Sequence, residues 1–175
     1  MTRVLALDVG TSSARARVYG PDGAPLGGVA GLVVYTRTRG HSGRLAEYDP
    51  DELVEAAGAA AEEARQEAGG SFDAVAVSCF WHSLVALDAR GRPLTPVLGW
   101  RDTRSAQEAD DLARRLDGDA VHARTGCPLH TSYWPAKLAW LRRHEPDAFH
   151  GAARFVSFPD YLQLRLVGDA RTSLS

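Results

Sequence analysis

The sequence predicts an α/β fold with a mixed sheet flanked by helices, and three observations carry that reading. Val4-Leu5-Ala6-Leu7 is a continuous apolar run, the pattern of a strand covered on both faces. Ala14, Ala16 and Val18 alternate with Arg15, Arg17 and Tyr19, which predicts a second strand with one exposed face. Asp49-Pro50-Asp51-Glu52 opens a helix with one apolar face, and strands and helices alternate from there on.

Each element follows from local chemistry. Pro21-Asp22-Gly23 turns the chain after the second strand, because proline fixes φ and glycine accepts a positive one. A third strand is expected over Val29–Thr36. In the first helix Asp49 caps, Pro50 suits the first turn and Glu52 occupies the capping-box position. Leu53, Val54, Ala57, Ala61 and Ala64 keep one face apolar until Gly69-Gly70 ends it. Strands are predicted over Phe72–Cys79 and Ser83–Asp88, the latter turning at Ala89-Arg90-Gly91. Helices are predicted over Ser105–Leu116 and Trp134–Arg143, an extended piece over Phe155–Ser157, and a short helix over Tyr161–Leu166 after Pro159. Asp22-Gly23-Ala24-Pro25-Leu26 is echoed by Arg90-Gly91-Arg92-Pro93-Leu94, a pattern that two hairpin turns would share. With no Gly/Ser linker and no shift in composition, residues 1–175 are expected to form one domain.

Composition excludes several classes of function. Lys plus Arg number 20 and Asp plus Glu 22, a formal charge of −2, so the chain lacks the basic face that nucleic-acid binding needs. Lys137 is the sole lysine, leaving 19 arginines, a bias that a GC-rich genome explains without invoking anion sites. Cys79 and Cys127 are far apart and have no ligand spacing for zinc; two buried free thiols suit the reducing cytoplasm. Asp8 interrupts the apolar N-terminus, which therefore does not resemble a signal peptide, and no stretch is long enough to span a membrane.

Three segments carry chemistry. Asp8-Val9-Gly10-Thr11-Ser12-Ser13 lies between two strands, where Gly10 lets a ligand approach the backbone and Thr11, Ser12 and Ser13 add donors. Such a turn can cradle a terminal phosphate, and Asp8 could hold a hydrated Mg²⁺; an ordinary Asp/Gly/Ser turn has the same composition. It is neither a Walker A loop nor a dinucleotide fingerprint, because a strand follows it rather than a helix. Cys79-Phe80-Trp81-His82-Ser83 sets an indole beside an imidazole at a strand start, and each taken alone reads better as core, a buried aromatic and a satisfied buried imidazole. Trp100-Arg101-Asp102-Thr103-Arg104 joins an aromatic wall, a carboxylate and guanidinium donors, parts that suit a polyol. The same parts also make a salt bridge and a helix cap.

Taken in order, these segments resemble the FGGY carbohydrate kinases of the actin-like ATPase superfamily. Ala6-Leu7-Asp8-Val9-Gly10-Thr11-Ser12-Ser13-Ala14-Arg15 is similar to the family's first phosphate motif. Trp81-His82-Ser83, Leu87-Asp88, Gly91, Pro93-Leu94 and Trp100-Arg101-Asp102-Thr103-Arg104 resemble its sugar-binding half, nearest to the gluconate- and xylulose-kinase branches. Thr125-Gly126-Cys127-Pro128, Tyr133 and Lys137-Leu138-Ala139-Trp140-Leu141 continue the pattern.

The resemblance implies a ribonuclease H-like (actin-like ATPase) domain and ATP-dependent phosphorylation of a small sugar or sugar acid, with ATP and Mg²⁺. Asp8 would hold Mg²⁺ through water, Gly10, Thr11, Ser12 and Ser13 would line the phosphate turn, and Arg15 would stand near it. Trp81, His82, Trp100, Arg101, Asp102 and Tyr133 would hold the sugar. Thr172-Ser173-Leu174-Ser175 looks like the opening of a further strand. The family's catalytic aspartate and adenosine-gripping domain would lie beyond Ser175, so this chain alone is expected to be inactive. A non-catalytic sugar-binding or regulatory module on the same fold is the alternative. An actin-like structural or chaperone ATPase gives Trp81-His82 and Trp100-Arg101-Asp102 no role. A cytoplasmic homodimer with no membrane or nucleic-acid partner completes the expectation.

Overall fold

In chain order the strands are β1 (Val4–Val9), β2 (Ser13–Tyr19), β3 (Pro25–Val34), β4 (Glu47–Tyr48), β5 (Ala74–Cys79), β6 (Val85–Leu87), β7 (Val97–Leu98) and β8 (Arg154–Val156). The helices are α1 (Pro50–Glu67), α2 (Ala106–Arg115), α3 (Gly118–Thr125), α4 (Trp134–His144), α5 (Pro146–Gly151) and α6 (Phe158–Val167). The computed structural model describes residues 2–35 and 47–171. These group into two compact units, one within 1–37, 49–80 and 162–175, the other within 38–48 and 81–161.

The first unit is built on a four-stranded sheet of order β3-β2-β1-β5. β1 pairs antiparallel with β2 and parallel with β5, and β2 pairs antiparallel with β3, so the sheet is mixed as predicted. The alternation in β2 works as read: Ala14, Ala16 and Val18 are buried, while Arg15 is exposed and Arg17 and Tyr19 are half-buried. In β1 the expectation of two covered faces is corrected. Leu5, Leu7 and Val9 are buried, but Val4 and Ala6 are half-buried and Asp8 is exposed.

α1 covers the buried face over β1, β2 and β3. Its buried stripe is Leu53, Ala56, Ala57, Ala60 and Ala64; Val54 and Ala61, expected in it, flank it half-buried. Asp49 caps the helix by accepting from the N–H groups of Asp51 (2.9 Å) and Glu52 (3.1 Å). The small residues let α1 come close, and β3 answers with glycine: a Cβ at Gly31 would lie 2.0 Å from the Ala60 carbonyl oxygen. β3 starts at Pro25, four residues before the predicted Val29, because Gly27-Gly28 hid its opening; Thr36 lies outside the described residues. β5 is an edge strand on which Val75 and Val77 are about half exposed.

The second unit has shorter strands. β4 pairs with β7 and β6 with β8, both antiparallel. Leu84, Leu98 and Leu141 form its core, with Trp134, Leu138, Trp140, Phe149 and Phe155 packed around them. α3 escaped prediction because it buries no residue and so has no apolar period; Asp117 caps it and Gly126, at φ 72°, ends it. α6 starts three residues before the predicted Tyr161. Ser157 and Asp160 form the reason, a reciprocal cap in which the Ser157 N–H donates to Asp160 Oδ2 and the Asp160 N–H to Ser157 Oγ. The echoed Gly-x-Pro-Leu segments are both turns, with Gly23 at φ 78° and Gly91 at φ 77°. Among the described residues no helix is long and apolar enough to cross a membrane. Thr172–Ser175, read as a strand opening, lie outside the described residues.

Candidate functional site

Two groups of predicted residues are assembled, one in each unit. In the first, β1 and β2 bring Asp8 opposite Arg15, and β5 brings Ser78 beside Asp8. The chain reverses between them in a tight turn closed by the Gly10 N–H donating to the Ser13 carbonyl at 2.9 Å. Tyr35 holds the turn from β3's end: its hydroxyl donates to the Gly10 carbonyl, and its N–H donates to that of Ser12 at 3.2 Å. Arg15 Nε reaches Ser13 Oγ at 3.4 Å. Ser13 is buried, Gly10 and Thr11 are half-buried, and Asp8, Ser12 and Arg15 are exposed.

Gly10 is informative because the fold does not require it. Its φ lies outside the left-handed region, and a Cβ there would meet only the Ser13 oxygen at 3.5 Å, an ordinary contact. Asp8, Arg15, Arg17, Tyr19 and Ser78 line a cleft of about 550 Å³ over the open face of the sheet. Cys79, half-buried at the end of β5, stays a thiol: burial, helped by the charge of Asp8, pushes it up to about 12. Among the described residues no group of three or more His, Cys, Asp or Glu could hold a metal ion.

In the second unit, Trp81 is 68% exposed and Trp100 47%, unusual for indoles. His82 follows Trp81 at φ 59°, the one non-glycine residue with positive φ among those described. Its ring meets Tyr133 edge-on with centroids 4.6 Å apart. Burial, then the nearby Lys137 cation, hold the imidazole below its ordinary range, so it is neutral at pH 7. Arg101 lies 5.8 Å from the Trp100 ring centroid.

Asp102 is placed differently from the other members of this set. It is 1% exposed, and its oxygens accept from the Arg104 N–H at 3.0 Å, from Nε at 2.9 and 3.0 Å and from a terminal nitrogen at 2.7 Å. Arg104 also pairs with Glu47 and lies 4.9 Å from the Trp140 ring centroid. Asp102 thus shapes the Trp100–Arg104 turn from beneath. It does not cap α2, whose cap position is Ser105.

Sequence reasoning passed over Ser132 and His130 and, while naming Ser83 and Lys137 within its segments, gave them no role. Ser132 Oγ donates to the Trp100 carbonyl at 2.8 Å and meets His130 Nδ1 at 3.0 Å. Ser83 is buried; its carbonyl accepts from Trp134 Nε1 and its Oγ from the Phe158 N–H, both at 2.9 Å. Lys137 is 1% exposed, and its ammonium donates to the carbonyls of His82, Leu98 and Gly99. The signal for it was present in the composition, as the only lysine of an arginine-rich chain. A groove of about 410 Å³ lined by Leu112, Leu116, Leu138, Ala139 and Phe149, with Arg115 and Arg142, carries no converging polar set.

The chain is 39% identical to a xylulose kinase of Streptomyces coelicolor over 178 residues, which cover 97% of this chain and 34% of that protein. It is 27% identical to a gluconokinase of Bacillus subtilis over 168 residues, 95% of this chain and 32% of that protein. The solved structure of xylulose kinase from Rhodospirillum rubrum superposes with a TM-score of 0.92 at 29% identity, over 98% of this chain and 35% of that one. This chain therefore spans about a third of the length of these relatives. Its mixed sheet and helices have the actin-like ATPase fold of such kinases. Residues 3–175 match the model of the N-terminal domain of the FGGY family of carbohydrate kinases, and the chain belongs to that family.

Proposed function

We propose that the whole protein phosphorylates a small sugar or sugar acid with ATP, and that this chain supplies the phosphate turn and the sugar-binding half. The carrying observation is Gly10, a half-buried glycine that the fold itself leaves free to be alanine, in a turn flanked by the exposed Asp8 and Arg15. A phosphate oxygen that must approach the backbone gives that glycine a reason. Gly10, Thr11, Ser12 and Ser13 present amides and hydroxyls to the phosphates, and Arg15 adds a cation.

A magnesium ion fits Asp8 in one way. A single exposed carboxylate suits an ion that keeps most of its waters and takes its other ligands from phosphate. When bound, the ion neutralises phosphate charge. Asp8 would hold it through water.

On the sugar side, Trp81 and Trp100 offer flat apolar walls, and Arg101 and Tyr133 offer donors. Neutral His82 can donate from one nitrogen and accept at the other, which matches a hydroxyl. Asp102, its oxygens taken by Arg104, contributes by fixing the turn that carries Trp100 and Arg101. Phosphoryl transfer needs mainly positioning and charge stabilisation. The carboxylate that takes the hydroxyl proton and the adenosine grip are proposed to come from the rest of the protein. We place the reaction in the cytoplasm, which supplies ATP and keeps Cys79 and Cys127 reduced.

A coupled ADP-release assay with xylulose, gluconate and glycerol tests this. A chain of the relatives' full length should show sugar-dependent turnover with at least one of them, and the 175-residue chain none. Turnover by the short chain would refute the placement of the base. No turnover by the long chain on any sugar would refute the kinase reading.

A further inference from the structure

We propose that Lys137 is a positioning residue for the sugar site, tying the Trp81–His82 backbone to the Leu98–Asp102 turn and so setting the spacing of the side chains that meet the sugar. This rests on the sugar-binding reading of that face.

The geometry is specific. An ammonium has three N–H donors, and here all three are used: on the His82 carbonyl, on Leu98 at 3.3 Å and on Gly99 at 3.0 Å. The acceptors belong to two stretches of backbone that pair in the antiparallel bridge between Leu84 and Leu98, and Lys137 carries the link past the end of that bridge, to His82 on one side and Gly99 on the other. One stretch carries Trp81 and His82, the other leads directly into Trp100, Arg101 and Asp102. Lys137 joins them from a third element, α4, whose cap residue Tyr133 packs on the His82 ring.

His82 takes a left-handed backbone, uncommon outside glycine, while its carbonyl accepts from Lys137. The chain uses arginine at every other basic position, 19 times. A planar guanidinium delivers its donors in one plane, whereas three carbonyls converging from different directions match a compact ammonium. The choice of lysine at 137 is therefore chemical, even in a chain whose codons favour arginine.

The charge of this group is adjustable. Burial pulls Lys137 down to about 8, opposed by the Asp102 carboxylate and assisted by the Arg104 cation. His82 is the other titratable group that feels it, and Tyr133, packed on the His82 ring, has Cys127 beside it. Because Lys137 is held below its ordinary value, the unfolded chain binds the extra proton between about 8 and the usual 10.5, and this group makes the fold more stable as pH rises there. Site order moves the other way, since the neutral amine has lost one donor and its charge. Sugar affinity and fold stability should separate above pH 8.

The test uses the 175-residue chain as Cys127→Ser, labelled with ¹³C at lysine Cε, which yields one side-chain lysine signal. Its titration midpoint is compared with the calorimetric affinity for xylulose and gluconate from pH 7 to 9.5, with a melting curve at each pH. The expected result is a roughly tenfold loss of affinity through the Lys137 midpoint, the scale of one hydrogen bond to a charged group, with no fall in melting temperature. Lys137→Met should bind weakly at every pH without the step, and Lys137→Arg should restore the charge but not the affinity. An affinity that stays flat while Lys137 titrates would overturn the proposal, as would wild-type affinity in Lys137→Met. The wild-type titration decides the matter if the variants do not fold. Absence of sugar binding at any pH would overturn the sugar-site reading itself, and this proposal with it.

Discussion

Replacing Gly31 by alanine drives a methyl group into the backbone of α1. The new Cβ would lie 2.0 Å from the Ala60 oxygen, 2.9 Å from its carbonyl carbon and 3.1 Å from its Cα. Ordinary contact begins at 3.4 Å, so helix and strand must separate by 3.4 − 2.0 = 1.4 Å. Neither side can yield by turning a side chain, because the clash is with main chain. Separation of that size loosens the packing of Leu53, Ala56, Ala57, Ala60 and Ala64 along the sheet. Overpacking costs about 1–3 kcal/mol where side chains can adjust, so a value near the top, about 3 kcal/mol, is expected here. For a chain of this size that lowers the melting temperature by roughly 6–12 °C. Circular dichroism melts and urea titrations of Gly31→Ala measure it. Gly58→Ala, on the same helix with nothing within 4 Å, is the control, and should stabilise by up to about 1 kcal/mol. A Gly31→Ala melting temperature within about 2 °C of wild type would refute the close approach of α1 to β3.

Other consequences are as direct. Gly10→Ala should leave the melting temperature within about 3 °C of wild type, while a full-length enzyme carrying it loses roughly tenfold or more in sugar-dependent ATP turnover; unchanged turnover would remove the phosphate role of the turn. Arg104→Met removes the guanidinium that spans the buried Asp102 carboxylate and should cost about 3–5 kcal/mol by urea unfolding, with Arg104→Lys recovering only part because it cannot span both oxygens and Glu47. His82 should titrate below its ordinary value by NMR, and Lys137→Met should raise it by removing the neighbouring cation. Since the unfolded chain takes up that proton first as pH falls, His82's stability contribution is lost below about 6.5. A His82 midpoint at or above the ordinary value would contradict its packing against Tyr133 and Lys137.

How much of this was legible in the sequence depended on the kind of signal each residue leaves. β1, β2, α1, β5 and α4 were readable because apolar period and capping residues such as Asp49 act within a few residues of chain. β4 and β7 are two residues each, too short for any period, and α3 buries nothing. The phosphate turn was readable because Asp8 to Ser13 are contiguous. The sugar side was readable as two segments but not as a shape. Asp102 read either as a carboxylate for a polyol or as part of a surface salt bridge, and only folding shows it buried with Arg104 wrapped around it and Glu47 contributed from 57 residues away. His82 meeting Tyr133 and Lys137 gathering three carbonyls are long-range facts, and a helical lysine amid Trp134, Leu138 and Leu141 gives no local hint of them.

The solitary lysine also gives the chain a built-in reporter of its own opening. An endoprotease that cuts only after lysine has one target bond, in α4, and the native fold conceals that side chain at 1% exposure. Cleavage can occur only when α4 is released, so its rate under fast reclosing follows the population of opened molecules. Arginine-directed proteolysis would report surface loops from many sites at once. Lysine-directed proteolysis reports one event, and any sugar that binds across the stretches joined by Lys137 should slow it.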